Sequence, residues 1–576
     1  MTRFLHGLLA VLAIPGTLAI STTDQQPLLR LKDDRILTPS LVEFIDGVVK
    51  TQQVEGLTLA VIRADGESEY GAWGRKTEDD DEMTTDTLFD IGSCSKAFVT
   101  AAIGILIDDY AHARNTTPLP TGLKKLDWDS KLKRILPDDW KHMDPWASEQ
   151  ANLVDILSHV SGLPRHEIFY GPGDDTKSVV RNQRYQRPAF ELREQWSYNN
   201  QMYMIGAEII RTFTGSFTEF VEERIFKPLN MTDTTYSPDV AHASGKATQT
   251  WTSFGRRIPW WLSEDWQVEL AAGPGGVISS AVDLEKWVRM LLNKGVDPRT
   301  KKTIIPLSAL STIVSAHSIV NGNPPGVPGA SISGYGLGWE RTAFNGHDMI
   351  QHGGALPGSS AAVIGVLADG VGVVALANAD SKGVANSIIA TEVLQKLLGF
   401  DGESSLRIGS YGINTTPYEA PHAVETVDPP SYNYVGVYKN DVFGTLLLCN
   451  ASSTSHYCGS ILDDFSAVDG VSPPQNSSKL FAELPSLWTS HVRLLYKGDN
   501  VFHFQPTYLF PEGYGKNTTP FEEVIELSDR ASAVFVVENG DVVGFGLTGT
   551  VIEGLTMREK EGGSVEYTAD AWFAKL

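Results

Sequence analysis

Thr87-Leu88-Phe89-Asp90-Ile91-Gly92-Ser93-Cys94-Ser95-Lys96 is where an extended, apolar approach ends in glycine and a helix begins. Downstream, Ala97, Phe98, Ala101, Ala102, Ile105 and Leu106 recur at helical spacing and predict a buried stripe. Residues three apart on a helix face the same side. The Ser93 hydroxyl and the Lys96 amine therefore come within hydrogen-bonding reach, near the positive end of the helix dipole. A serine is a poor nucleophile until a neighbouring base, such as an amine held neutral, takes its proton.

Alone, Ser-x-x-Lys is a weak signal, and the chain holds a second match, Ser130-Lys131-Leu132-Lys133. Pro137 stops any long helix there, so Ser130 reads as a solvated surface serine. Ser93 gains weight from two later stretches. Gln195-Trp196-Ser197-Tyr198-Asn199-Asn200 precedes a helix marked by Met204, Ile205, Ala207, Ile209 and Ile210, which puts a Tyr-x-Asn pair on a loop. Gln351-His352-Gly353-Gly354-Ala355 precedes the apolar run Ala361 to Val366, and paired glycines admit another backbone close to a strand.

Ser-x-x-Lys, Tyr-x-Asn and His-Gly-Gly, in that order, resemble the class C β-lactamase and D-Ala-D-Ala carboxypeptidase family of serine hydrolases, which includes esterases, D-aminopeptidases and acyl transferases. Asp155 to Pro164, Gly273 to Ser280 and Tyr335-Gly336-Leu337-Gly338-Trp339 are similar to it too, and the likeness runs from about Val48 to Leu398. The resemblance implies acyl transfer through a covalent intermediate on Ser93, with Lys96 and Tyr198 sharing the general-base role. Ammonium charge nearby would lower the Tyr198 hydroxyl below its ordinary range. Asn200 would orient Lys96 or the acyl side chain of the substrate. The backbone N–H groups of Ser93 and Ala355, beside Gly353 and Gly354, would form the oxyanion hole. Many relatives carry lysine and threonine where this chain has His352 and Gly353, and use them to hold a carboxylate. The departure disfavours β-lactams and carboxylate-anchored peptides, and fits branches that resemble esterases, amidases or transesterases.

Other residues read more plainly. Cys94 is expected to be a small buried helix residue and His159 a packing residue of its turn. Trp260, Trp261 and Trp266 line an apolar cleft or pack a loop. There is no G-x-S-x-G elbow and no H-E-x-x-H pair, so no metal and no organic cofactor is expected. Gly544-Phe545-Gly546-Leu547-Thr548-Gly549 satisfies G-x-G-x-x-G, but its apolar surroundings suggest a strand instead of a phosphate-binding helix start.

The formal charge of −23 argues against a nucleic-acid partner. A small-molecule or short-peptide substrate is expected. Arg3 followed by Leu8 to Ile14 and small residues reads as a secretory signal peptide over 1–21, and no later stretch is long and apolar enough to span a bilayer. Acceptor sites for N-glycosylation occur at Asn115, Asn230, Asn414, Asn450, Asn476 and Asn517. In such a compartment Cys449 and Cys458 can close a small disulfide, leaving Cys94 free.

At 576 residues, two or more domains are expected. The resemblance implies an α/β catalytic domain over 35–400, in which Leu57 to Ile62, Val363 to Val366 and Gly372 to Ala377 join one antiparallel sheet flanked by helices. A helical lobe would be inserted between about Asp127 and Leu292. A Ser-, Gly-, Thr- and Pro-rich linker follows over 401–430. Over 431–576, short strands and the Asn539-Gly540 turn predict an all-β unit, and Tyr434-Val435-Gly436-Val437-Tyr438 resembles the opening of a lipocalin-like barrel. The expected activity is secreted ester or amide hydrolysis. An acyltransferase or transesterase is the alternative, then a non-catalytic binding protein that kept the fold.

Overall fold

The computed structural model describes residues 35–323, 329–400, 430, 432–470, 478–525, 527–528 and 530–576. The expected signal segment, the linker apart from Pro430, and the acceptors Asn414 and Asn476 lie outside these residues. β1 (Gly56–Arg63) and β2 (Glu69–Gly74) form a hairpin. Two short pairs follow, β3 (Phe89–Asp90) with β6 (Ile278–Ser279), and β4 (Thr250–Trp251) with β5 (Arg257–Ile258). The chain then adds β7 (Ser318–Asn321), β8 (Ser333–Tyr335), β9 (Glu340–Phe344), β10 (His347–Leu356), β11 (Ser359–Val366) and β12 (Val371–Ala377). The resulting antiparallel sheet has the order β2-β1-β12-β11-β10-β9-β8-β7.

β1 is apolar from Leu59 to Ile62 because both faces of the sheet are covered. Side chains alternate across a strand. Ala60 and Ile62 with Val374 and Leu376 pack among Trp287, Val288 and Leu291. Leu59 and Val61 with Val373 and Ala375 pack among Ile389, Val393 and Leu397 on the other face. The helix Ala281–Leu292, expected at the end of the inserted lobe, thus covers the sheet itself. A Cβ at Gly372 would lie 2.7 Å from Val288 Cγ1, so the helix sits directly on β12. The Lys96–Ala111 helix is apolar on nearly all sides, as expected for one wrapped in protein, and packs on the Gln201–Thr214 helix across Gly206.

The C-terminal unit is a nearly closed antiparallel barrel. β13 (Gly436–Asn440), β14 (Gly444–Leu448), β15 (Lys479–Glu483), β16 (His491–Gly498), β17 (Val501–Phe510), β18 (Phe521–Val524), β19 (Ser532–Glu538), β20 (Asp541–Thr548) and β21 (Ala571–Lys575) build it. Its order is β14-β13-β21-β20-β19-β17-β16-β15, with β18 beside β17. Cys449 and Phe481 exchange backbone hydrogen bonds of 2.8 Å and bring the two end strands together. The expected Cys449–Cys458 disulfide forms at this closure, joining it to the helix His456–Asp469. Asn539 (φ 53°) and Gly540 (φ 92°) supply the left-handed pair that a tight hairpin turn needs. The glycine-rich stretch 544–549 runs along β20, where side chains at Gly544 and Gly546 would collide with Trp572 and with Val565 and Ala569. These glycines make room for packing, as the strand reading expects. The barrel interior is filled by Tyr438, Phe502, Phe535, Phe545 and Phe573.

Barrel and catalytic domain meet through specific bonds. Trp260 and Trp261 are both buried, their indoles donating to the Thr248 and Leu487 carbonyls at 2.6 and 3.0 Å, and Trp261 packs on Tyr508, which resolves the tryptophan pair in favour of packing. Arg187 donates to the carbonyls of Glu566 and Ala569, and Lys516 pairs with Asp79.

Candidate active site

The nucleophile turn is built by two glycines. Gly92 has φ 48°, and a Cβ there would sit 2.7 Å from the Ala355 nitrogen. A Cβ at Gly354 would run into the Ile91 carbonyl oxygen. Only bare backbone on both sides lets the turn Gly92–Ser95 press against β10, and this contact sets the Ala355 amide against Gly92, the residue before Ser93. Cys94 also faces β10, its thiol donating to the His352 carbonyl at 3.3 Å. Burial raises that thiol to about 12, so Cys94 is a buried packing residue. Ser95 Oγ accepts the Val277 N–H at 3.0 Å and pins the Gly273–Ser280 segment over the turn.

Lys96 is fully buried. Its Nζ lies 3.0 Å from Ser93 Oγ and donates to the Pro274 carbonyl at 2.9 Å. Burial holds the amine well below its ordinary range; Glu167 opposes this in part, and Arg165 adds to it. Ser93 itself keeps some exposed surface, so a substrate can reach it.

Tyr198 brings its hydroxyl into hydrogen-bonding contact with the Ser93 side chain, and its ring lies 4.8 Å from Lys96 Nζ. The expected lowering of its pKa does not occur. Burial pushes the hydroxyl well above 10, although the residue keeps some exposed surface; the Ser93 hydrogen bond and the Arg165 charge only partly offset this. The ammonium invoked in the sequence reading is absent from the balance because Lys96 is itself driven toward the neutral amine.

Asn200 stands close by but is not bonded to Lys96. Its Nδ2 donates to Glu167 Oε2 at 2.9 Å, and its buried Oδ1 has no hydrogen-bond partner. His352 is buried beside the site, its ring 6.3 Å from that of Tyr198. Its Nδ1 donates to the Gly353 carbonyl at 2.6 Å, so Nε2 accepts from the Tyr335 hydroxyl at 2.9 Å. Burial, then the nearby Lys96, lowers this imidazole to about 3. It is neutral and offers no charge to a carboxylate. Gly353 is exposed on the same strand, while Gly354 is buried.

Sequence reasoning missed several neighbours. Arg165 pairs with Glu167 through 3.1 and 3.2 Å bonds and lies 5.7 Å from the Tyr198 ring. Both follow directly on the Ser161-Gly162-Leu163-Pro164 stretch, which was the available signal. His159 packs as expected, but against Tyr198 itself, with ring centroids 4.4 Å apart. Ser130 is buried, not solvated: its hydroxyl accepts the Asp127 N–H and donates to Asp127 Oδ1, both at 2.9 Å. Of the described glycosylation acceptors, Asn230 and Asn517 are exposed, and Asn115 and Asn450 are partly covered.

The geometry agrees with what the chain is similar to. A family model described as Beta-lactamase matches residues 41–397. The chain is 26% identical over 374 residues to an unguisins hydrolase of Aspergillus campestris, covering 63% of this chain and 66% of that protein. It is 24% identical over 441 residues to an unguisins hydrolase of Aspergillus violaceofuscus, covering 69% and 74%. A lovastatin esterase of Penicillium rubens is 24% identical over 217 residues, 33% of this chain and 51% of that protein. The chain thus spans about half to three quarters of these relatives' lengths. Among solved structures, an octameric penicillin-binding protein homologue from Pyrococcus abyssi superposes with a TM-score of 0.52 at 16% identity, over 93% of this chain and 99% of that one, a likeness of fold. With three motifs gathered around Ser93 and the family model spanning the whole sheet-and-helix domain, this chain belongs to the beta-lactamase family of serine hydrolases.

Proposed function

We propose that the chain cleaves an ester or amide of a small molecule or short peptide through an acyl-enzyme on Ser93. The observation that carries this reading is the buried Lys96 amine, 3.0 Å from Ser93 Oγ and held well below its ordinary range. A neutral amine has a lone pair to accept the hydroxyl proton. As Oγ bonds to the substrate carbonyl carbon, that proton passes to Nζ. The carbonyl oxygen takes up the negative charge, facing the Ser93 and Ala355 amides. Tyr198, which keeps its proton, delivers it to the leaving oxygen or nitrogen as the bond from that atom to the acyl carbon breaks and the C=O re-forms, and is recharged from Lys96. Water then repeats the sequence in reverse, releasing the acid and restoring Ser93.

The neutral His352 and the bare Gly353 favour a substrate with no free carboxylate beside the scissile bond. Such a neutral ester or internal amide is consistent with relatives named as unguisins hydrolases and lovastatin esterase. The Cys449–Cys458 disulfide and the exposed acceptors Asn230 and Asn517 support secretion as the setting.

The test is covalent. A fluorophosphonate should add its mass to the Ser93 peptide and leave Ser93→Ala unmodified. Product analysis with a panel of p-nitrophenyl esters and D-amino-acid amides, in water and with added alcohol, then separates hydrolysis from transesterification. Labelling of Ser93→Ala at the native rate would remove the assignment.

A further inference from the structure

Four successive backbone N–H groups hold the Tyr198 loop in place. Ser197 donates to the His159 carbonyl at 2.8 Å, Asn199 to His159 Nδ1 at 3.1 Å, and Asn200 to Glu167 Oε1 at 3.4 Å. Those three acceptors belong to the catalytic domain. The fourth N–H, that of Tyr198, donates at 3.0 Å to Oε1 of Glu553, which lies on the barrel loop after β20.

That loop is fastened from both sides. Arg530 donates to the carbonyls of Val551 and Gly554, each at 3.0 Å, and ties it to the barrel. Val551 is buried against Ala189 and Phe190, and the Met557 N–H donates to the Ala189 carbonyl at 2.8 Å. Glu553 also acts with Glu167 in the field around Arg165, which lies over the Tyr198 ring. The barrel grips the site at a second point. The turn that carries Glu167 continues into Ile168 and Phe169, which pack in the barrel core, Phe169 stacking on Phe443 at 4.3 Å.

We infer that Glu553 of the barrel is a positioning residue for the catalytic tyrosine, so that the hydrolase site is completed by the second domain. The inference rests on the acyl-enzyme reading above. A phenol that must meet both Ser93 and the leaving group tolerates little displacement, and a misplacement near 1 Å costs about 100-fold in rate.

The experiment follows the rate of Ser93 labelling by a fluorophosphonate in the full chain. Glu553→Ala is expected to label about 10- to 100-fold more slowly than wild type, with Glu553→Gln, which keeps the acceptor oxygen, within about threefold of it. In a Tyr198→Phe background the same Glu553→Ala change should cost less than about twofold, because Glu553 acts through the tyrosine. Should Glu553→Ala not fold, Glu553→Asp, which withdraws the carboxylate by one methylene, carries the same expectation. Native-rate labelling of the alanine variant, or an undiminished penalty in the Tyr198→Phe background, overturns the inference. Wild type that takes no label overturns the acyl-enzyme reading instead, and is told apart because every variant is then equally silent.

Discussion

Two tetrads of the same pattern, Ser93 to Lys96 and Ser130 to Lys133, sit in one domain with opposite surroundings. Ser93 keeps some exposed surface, while Lys96, 3.0 Å from its hydroxyl, is sealed in protein. Ser130 is buried and spends its hydroxyl on Asp127, and Lys133 reaches out to the Pro137 carbonyl at 2.7 Å. In the first tetrad the spacing brings serine and lysine onto one face of the turn that runs into the helix Lys96–Ala111, whereas Ser130 lies outside the short helix Leu132–Ile135. What turns the pair into a nucleophile and a base is the wrapping: an apolar helix, the Pro274 carbonyl above and Tyr198 alongside. The second tetrad has none of this and serves as a turn.

The largest expected contrast is between the two serines. Ser93→Ala should reduce turnover by at least about 10,000-fold with the melting temperature retained, by analogy with nucleophile deletions in other serine hydrolases. Ser130→Ala should leave turnover unchanged and lower stability by about 1 kcal/mol, the net worth of a buried hydroxyl's hydrogen bonds. Steady-state kinetics and thermal melts on both variants check this. Next come the lysines. Lys96→Arg replaces an amine that can be neutral with a group that stays charged, and should cost on the order of 1,000-fold or more in kcat. Lys133→Arg should cost nothing measurable.

The third contrast lies within the glycine pair of β10. Gly354→Ala would drive a methyl into the Ile91 carbonyl and move Ala355 off the nucleophile turn, so a loss of about 100- to 1,000-fold in kcat is expected, as for a missing oxyanion donor. At Gly353 the nearest atom to an added Cβ is 3.9 Å away, and Gly353→Ala should fold normally and keep most activity.

Legibility followed the same division. Ser93, Lys96 and Tyr198 were readable because each sits at a junction of an element with a strong periodic signal, and the glycines beside them announce close backbone contact. The apolar strands β1, β11 and β12 and the barrel hairpin at Asn539-Gly540 were equally plain. Arg165, Glu167 and Glu553 were not, because a charged residue on an irregular loop looks the same in sequence whether it is solvated or buried. The direction of the Tyr198 shift failed for a related reason: burial of both partners leaves no ammonium to stabilise a phenolate. Ser130 looked solvated because a four-residue helix, Leu132–Ile135, carries no periodic signal of the core beneath it.

The smallest contrast is in pH dependence of stability. Burial raises the Asp90 carboxyl, just before the first tetrad, to about 7. The folded chain therefore keeps a proton that the unfolded chain has released above about pH 4, and stability contributed here falls as pH rises from about 4 to about 7. Asp127, leading into the second tetrad, shifts the other way: burial pushes it up, but hydrogen bonds from Lys125 and Ser130 outweigh that and lower it. Its contribution is present above the ordinary carboxylate range and is lost on acidification. Melting curves should show Asp90→Asn flattening the decline between pH 5 and pH 7, and Asp127→Asn flattening the one below about pH 4.

The claim beneath all of these is that Lys96 rests as a neutral amine beside Ser93. A side-chain NMR titration of the lysines in wild type and in Lys96→Arg reads this directly. One lysine signal should lose its proton far below the ordinary 10.5 and be missing from the variant. Spectra in which every lysine titrates near that ordinary value would contradict the account.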